Sequence, residues 1–300
     1  MRWLLFGTKG WIGTQVQQLL HSVGETVLEC NDHFTSYQEV WECLSFYHPD
    51  RIVCAVGRTY GPGFTTIDYL EQPGKLEENL ISNLLVPTWI AQAAKNIPML
   101  YFGTGCIYES TESKKVFKES DVPNFTGSSY STVKGITDRL MSGFPHVLNA
   151  RIRMPISEDS HPRDFITKIL TYSKITSIRN SMTVLPDILP LLIAFLEEGR
   201  FFGTVNAVNP GVTDHQWILE KYKEITGNQH EYELESFEAQ SQRLKSKRSN
   251  NELDTTVLQG WRAFLSGNTA AKYSLPLTIP TLQESIEHIL NTRNRKEQDV

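Results

Sequence analysis

Cysteine is scarce in this 300-residue chain. Cys30, Cys43, Cys54 and Cys106 are the only four, and no two form a C-x-x-C pair. That excludes a disulfide-rich secreted scaffold and the usual zinc spacings, so reduced thiols in the cytoplasm and no metal are expected. Long apolar runs are missing too; none approaches the roughly 20 residues of a membrane span, and no membrane partner is expected. Positive charge is not in excess: 29 Lys and Arg face 34 Asp and Glu, a net charge of −5. This argues against a nucleic-acid surface. The basic run Arg243-x-Lys245-x-Lys247-Arg248 has no interleaved aromatics and does not reverse that reading. There are no repeats and no low-complexity segment. The opening residues, Met1 to Gly7, lack the long apolar region and cleavage site of a secretory signal and read as a first strand.

What is present is alternation. Strands are expected at Arg2 to Phe6, Thr26 to Cys30, Arg51 to Val56, Met99 to Gly103 and Val147 to Arg153. Between them lie helical patterns: after Gly13; over Tyr37 to His48, with Val40, Trp41, Leu44 and Tyr47 on one side; over Leu76 to Asn96, interrupted at Pro87; and over Tyr130 to Ser142. This order predicts an α/β fold, a Rossmann-type doubly wound parallel sheet. Beyond 155–160 the pattern loosens. Helices are expected over Asp164 to Tyr172, Leu189 to Glu198, Thr213 to Gly227 and Leu282 to Leu290, and a strand over Gly203 to Val208. The expected organisation is a dinucleotide-binding domain over 1–155, a smaller C-terminal substrate-binding region over 156–290 interwoven with it, and a charged, frayed tail over 291–300.

Gly7, Gly10 and Gly13 follow the first strand with G-x-x-G-x-x-G spacing. Glycines let backbone approach a pyrophosphate, and the next helix's N-terminus favours its charge. After the second strand, Asp32 favours NAD through a ribose hydroxyl, whereas His33 and Lys9 suit an extra phosphate. The loop leaves the choice open.

Tyr130-x-x-x-Lys134 places a phenol and an ammonium one helical turn apart. A neighbouring ammonium favours the phenolate and is expected to lower the tyrosine's pKa from its usual value of about 10. The tyrosine then exchanges a proton with a carbonyl oxygen while hydride moves at carbon. Thr104, at the carboxyl end of the preceding strand, supplies a hydroxyl to the same oxygen. The glycine turn, Thr104 and the Tyr130/Lys134 pair together resemble an extended short-chain dehydrogenase/reductase, and Asn83 matches a structural asparagine of that family.

Cys106, two residues beyond Thr104, reads either as a small buried thiol or as a group sharing that face. Longer motifs bear on it: Gly103-Thr104-Gly105-Cys106-Ile107, Pro123-Asn124-Phe125-Thr126-Gly127-Ser128, Arg153-Met154-Pro155-Ile156-Ser157, Pro162-Arg163-Asp164-Phe165-Ile166-Thr167-Lys168, Asn209-Pro210-Gly211-Val212 and Arg248-Ser249-Asn250-Asn251-Glu252-Leu253-Asp254. In this order they resemble the bifunctional nucleotide-rhamnose synthases of plants, which are UDP-4-keto-6-deoxyglucose 3,5-epimerase/4-keto-reductases. A giant DNA virus is one source such a chain could have.

The resemblance implies that Cys106 and Lys168 are the acid/base pair of epimerisation, with their individual roles open, and that a nearby ammonium favours the thiolate. It implies a cofactor site of Gly7, Thr8, Lys9, Gly10, Trp11, Ile12, Gly13, Asn31, His33, Ala55, Gly57, Asn83, Tyr130, Lys134 and Met154, holding NADPH, with NADH open. It implies a nucleotide-sugar site of Thr104, Cys106, Asn124, Arg163, Asn180 and Arg248. A homodimer is compatible with it. Two rival readings stand: a reductase without epimerase activity, like dTDP-4-dehydrorhamnose reductase, and a non-catalytic cofactor-binding subunit, like the β subunit of methionine adenosyltransferase.

Overall fold

The computed structural model describes residues 1–298. In chain order the elements are β1 (Arg2–Phe6), α1 (Trp11–Ser22), β2 (Thr26–Cys30), α2 (Tyr37–Tyr47), β3 (Arg51–Cys54), α3 (Leu76–Leu80), α4 (Val86–Ala94), β4 (Met99–Thr104), β5 (Val116–Phe117), α5 (Ser129–Met141), β6 (Val147–Ile152), α6 (Phe165–Ile169), β7 (Lys174–Ile175), α7 (Leu185–Glu198), β8 (Gly203–Asn206), α8 (His215–Thr226), β9 (Glu233–Leu234), α9 (Phe237–Arg243), β10 (Glu252–Leu253), α10 (Thr256–Phe264), α11 (Gly267–Lys272) and α12 (Leu282–Gln298). Strands joined through helical crossovers pair in parallel. Six do so here, in the order β2-β1-β3-β4-β6-β8. This is the expected Rossmann-type sheet. The strand order reverses between β1 and β3, and a ligand crevice opens beyond the strand ends at such a point.

Side chains alternate across the sheet. Trp3, Leu5, Leu100 and Phe102 pack with α1 and α7 on one face. Leu4, Phe6, Met99 and Tyr101 pack with α2 and α4 on the other. A separate apolar cluster, built on Ile156, Ile166, Ile169, Val184, Ile218 and Ile286, forms the core of the later part of the chain. Yet β8 completes the main sheet and α7 fills its core, so the two parts interlock.

Several elements differ from expectation for local reasons. The helix expected over Leu76 to Asn96 is α3, a π-helical turn over Ile81–Leu85, and α4. Pro87 stands in the first turn of α4; it lacks an N–H, and the wider turn before it absorbs the missing bond. On α2, Val40 and Leu44 are buried, but Trp41, one step round the helix, is 40% exposed. Helix α9 buries no residue, so its apolar pattern gave no signal. The expected frayed tail is helical through Gln298. Buried Arg293 anchors it, donating to Ser157 O at 2.6 Å and Glu158 O at 3.1 Å and pairing with Asp164 at 2.9 Å. The last two residues of that tail lie outside the described residues. No helix among the described residues is long and apolar enough to cross a membrane.

Candidate active site

The glycine turn is built by close approach. Gly7 has φ +86°, and a Cβ there would lie 3.1 Å from the Ala55 backbone after β3. A Cβ on Gly13 would lie 2.1 Å from Gly7 O, so α1 can pack this tightly only with glycine there. Gly10 caps α1 without a side-chain bond, which leaves the first-turn N–H groups of Trp11, Ile12 and Gly13 without intrahelical partners. Such a terminus suits a diphosphate, so the residues present fit a dinucleotide. Thr8 donates to Glu29 Oε2 at 2.8 Å and accepts from Asn31 Nδ2 at 2.7 Å, which braces the turn against β2. Glu29 is an acidic group at the end of β2 that sequence reasoning passed over in favour of Asp32. Asp32 and His33 are exposed beyond the strand.

A cleft of about 700 Å³ runs from this turn and is lined by Lys9, Trp11, Tyr60, His161, Arg163 and Leu189 among others. Trp11 stacks flat on His161, with centroids 5.2 Å apart and 5° between planes. The Arg163 guanidinium lies 3.4 Å over the Tyr60 ring. Tyr60 and His161 carried no local signal; only the fold brings them here. Asn83 is a tether: its Nδ2 donates to Arg58 O at 2.9 Å, its Oδ1 accepts from Arg58 N at 3.0 Å, and its own carbonyl accepts from Thr137 at 2.7 Å. It holds the loop after β3, including Gly57, whose Cβ would fall 3.1 Å from Asn83 Oδ1. Met154, just beyond β6, has φ +38°, a strained conformation for a residue with a side chain.

Thr104 ends β4, Tyr130 lies in the first turn of α5, and Lys134 follows one turn later. The start of α5 is fixed by Ser128 Oγ, which accepts from Ser131 N at 3.1 Å, and by Glu71, which accepts from Ser129 N at 2.8 Å. The Thr104 hydroxyl meets the Tyr130 phenol and accepts from Cys106 N at 3.1 Å. Hydroxyl, phenol and thiol therefore share one strand end. The expected lowering of the Tyr130 pKa is not what the surroundings produce. Burial, and then the charge of Cys106, push the phenol's pKa up, with Thr104 opposing. The Lys134 ammonium is instead bound to Tyr101 Oη and, at 3.0 Å, to Phe102 O. Burial draws its pKa down to about 8, against the pull of Cys54 and Asp138.

Lys168 lies on α6. Burial, then Arg163 and Arg248, draw its pKa down to about 8, while Asp164 opposes. No hydrogen bond links Lys168 to Cys106 among the described residues. Burial draws the pKa of the Arg153 guanidinium down, against the charge of Cys106. Arg248 donates to Asp68 Oδ2 at 2.6 Å and to Ser246 O at 3.0 Å. Asn180, expected at the substrate, is fully buried and occupied. Its Oδ1 accepts from Arg153 and Asn251 N, and its Nδ2 donates to Ile178 O and Asn250. Asn124 clasps a loop: its amide accepts from Glu109 N at 2.9 Å and donates to Glu109 O at 3.0 Å.

A glycine turn opening at the strand-order reversal, a strand-end threonine and a Tyr-x-x-x-Lys helix define a short-chain dehydrogenase/reductase. No protein-family model matches the chain. It is 47% identical over 266 residues to a protein of Acanthamoeba polyphaga mimivirus, covering 86% of this chain and 92% of that one. A solved UDP-rhamnose synthase from the same virus matches with a TM-score of 0.89 and 42% identity, over 97% of this chain and 99% of that one. A bifunctional dTDP-4-dehydrorhamnose 3,5-epimerase/dTDP-4-dehydrorhamnose reductase of Arabidopsis thaliana is 33% identical over 264 residues, 85% of this chain and 86% of that one. The chain belongs to this family of bifunctional nucleotide-rhamnose epimerase/reductases, within the extended short-chain dehydrogenase/reductases.

Proposed function

We propose that the enzyme takes UDP-4-keto-6-deoxy-D-glucose, inverts C3 and C5, and reduces C4 with NADPH to give UDP-L-rhamnose. The observation that carries this reading is the third group at the ketone-handling pair. Cys106 is joined through its N–H to Thr104, which in turn meets Tyr130. Reduction alone uses the hydroxyl and the phenol and leaves the thiol without a task.

The C4 ketone acidifies the protons on C3 and C5. Cys106 and Lys168 form the pair that removes a proton from one face and returns one to the other. An amine with a pKa of about 8 is divided between its two forms near neutrality, so Lys168 can serve in either direction. Thr104 and Tyr130 donate hydrogen bonds to O4, where charge develops as the enolate forms. In the second reaction Tyr130 gives its proton to O4; burial keeps the phenol protonated until then. The cofactor, when bound, supplies hydride to C4. The first-turn N–H groups of α1 and Lys9 would hold its diphosphate, and Lys134 would meet its nicotinamide end. Arg163 and Arg248 hold the diphosphate of the sugar nucleotide, since guanidinium forks suit phosphate oxygens.

The test is incubation with the 4-keto-6-deoxy sugar nucleotide in deuterated water. Deuterium is expected at C3 and C5 without cofactor, and reduced product only with it. Cys106→Ala should lose the exchange and still reduce a pre-epimerised ketone. Cofactor oxidation without exchange in the unaltered enzyme would leave a reductase alone, and survival of both activities in Cys106→Ala would remove Cys106 from the reaction.

A further inference from the structure

Cys30 ends β2, and Cys43 lies on α2. Their sulfurs are 3.3 Å apart, about 1.3 Å more than a covalent S–S bond. Cys30 is 3% exposed. Its thiol also reaches Asp32, with Sγ 3.6 Å from Oδ2. The Cys30 proton points to that carboxylate, so Cys43 donates to the Cys30 sulfur and the three groups form a chain. The hydrogen bond from Cys43 draws the Cys30 pKa down, against burial, and the same contact pushes the Cys43 pKa up. Cys30 is therefore the sulfur that ionises first. A cavity of about 510 Å³ opens beside Cys43, lined also by Asp32, His33, Glu39 and Tyr47, and gives a small solute a route to the pair. The pair also sits against the glycine turn. The Cys30 carbonyl accepts from Gly7 N at 3.2 Å, and the next residue, Asn31, donates to Thr8 at 2.7 Å. Asp32 stands beyond β2, where an acidic group meets the adenosine ribose of a dinucleotide.

We propose that Cys30 and Cys43 are an oxidisable dithiol, that hydrogen peroxide is its oxidant, and that the disulfide it forms weakens NADPH binding. The Cys30 sulfur attacks the peroxide O–O bond and becomes a sulfenic acid; the leaving oxygen takes the thiol proton and departs as water. The Cys43 sulfur then displaces the hydroxyl, which takes the Cys43 proton and departs as a second water. Two electrons pass from the sulfurs to the peroxide, and one S–S bond replaces two S–H bonds. A disulfide has no S–H, so Asp32 loses its bond from Cys30 and its carboxylate is released beside the ribose. There it repels the 2′-phosphate of NADPH but accepts from the 2′-hydroxyl of NADH. The effect on binding rests on the NADPH reading above; the disulfide does not.

The test treats the full-length protein with hydrogen peroxide, blocks the remaining thiols with N-ethylmaleimide and maps the peptides by mass spectrometry without reduction. A peptide pair joined through Cys30 and Cys43 is expected, released by dithiothreitol and absent from Cys43→Ala. Binding of NADPH and NADH is followed by nucleotide fluorescence before and after oxidation. NADPH affinity should fall about fivefold, the size of one partly screened charge contact. NADH affinity should change less, and dithiothreitol should restore the NADPH affinity. Cys43→Ala keeps Cys106 and the contact between Cys30 and Asp32, so it should bind NADPH as the reduced enzyme does, with or without peroxide. Sulfinic acid at Cys30 or Cys43 with no joined peptide would overturn the dithiol. A joined peptide with unaltered NADPH affinity, or an equal loss of affinity in Cys43→Ala, would overturn the coupling to the cofactor. A reduced enzyme that binds neither nucleotide, yet yields the joined peptide, would refute the cofactor reading and leave the disulfide in place.

Discussion

Replacing Lys134 with methionine should abolish reduction and, at neutral pH, stabilise the fold. The ammonium is 4% exposed and rests on a phenol and a carbonyl. Its pKa falls from 10.5 to about 8, mainly through burial. That difference corresponds to about 3 kcal/mol by which the charged form is disfavoured in the folded protein. Methionine removes this cost but leaves Tyr101 Oη and Phe102 O without their donor, at about 1 kcal/mol each. The net gain at pH 7 is therefore about 1 kcal/mol by the same reckoning. The pH dependence is the sharper test, because the lost hydrogen bonds do not enter it. Below the folded pKa both states hold the proton and the penalty is full. Above it the folded lysine is neutral while the unfolded one stays charged until its own pKa, so stability of the unaltered protein rises with pH. Linkage gives a recovery of about 2 kcal/mol between pH 7 and pH 9.5. Urea unfolding of both proteins at the two pH values measures it. The advantage of Lys134→Met should shrink by that amount and reverse sign. A difference between the two proteins that stays constant with pH would refute the burial of a charged amine at this position.

Gly13→Ala should abolish cofactor binding, read by quenching of NADPH fluorescence, because its Cβ would fall 2.1 Å from Gly7 O and force the turn apart; a loss well beyond tenfold is expected from a few broken phosphate bonds at about 1.5–3 kcal/mol each. Asp68→Asn should release Arg248 from its 2.6 Å pair and tighten UDP binding severalfold by calorimetry; weaker binding would mean that Asp68 aims the guanidinium. Despite burial, Arg248 and neighbouring hydroxyls hold the Asp68 pKa at about 2, so the pair's contribution is complete above the ordinary carboxylate pKa and fades only as pH falls towards 2. Asp138→Ala should cost about 3–5 kcal/mol in urea unfolding, because it strands the buried Arg151 guanidinium.

The parts of this protein that were legible in the sequence are those encoded locally. Strand Arg2–Phe6, the glycine turn and Tyr130-x-x-x-Lys134 each fit within one short window, where periodicity and spacing carry the information. The rest depends on residues brought together from afar. Asp68 and Arg248 are 180 positions apart, and the acceptors of Arg153 come from three separate segments. Nor can composition tell a free amide from an occupied one. Asn180 and Asn124 have the right chemistry for a sugar nucleotide but spend it on Arg153 and on the Glu109 backbone. Likewise Arg248 to Asp254 could be recognised as a motif without its physical reason, which is that Ser249 and Asn251 wrap the Cys106 turn.

Two arginines two positions apart, Arg151 in β6 and Arg153 just beyond its end, show how selectively charge is handled. Arg151 and Arg153 are both buried. Arg151 has a carboxylate, donating to Asp138 at 2.9 and 2.7 Å, and Asn149 supports the same carboxylate at 2.7 Å. The fold can therefore pair a buried cation where it needs one neutralised. Two residues on it leaves Arg153 with neutral acceptors, and it treats Lys134 the same way, on Tyr101 Oη and Phe102 O of β4. An unpaired buried cation is stabilised whenever an anion forms beside it, and the proposed reduction makes one at the Tyr130/Lys134 site: developing negative charge on O4 as hydride arrives. On that proposal the stability forgone at Lys134 is recovered when that charge appears, so an interaction that weakens the resting fold becomes one specific to the reacting state.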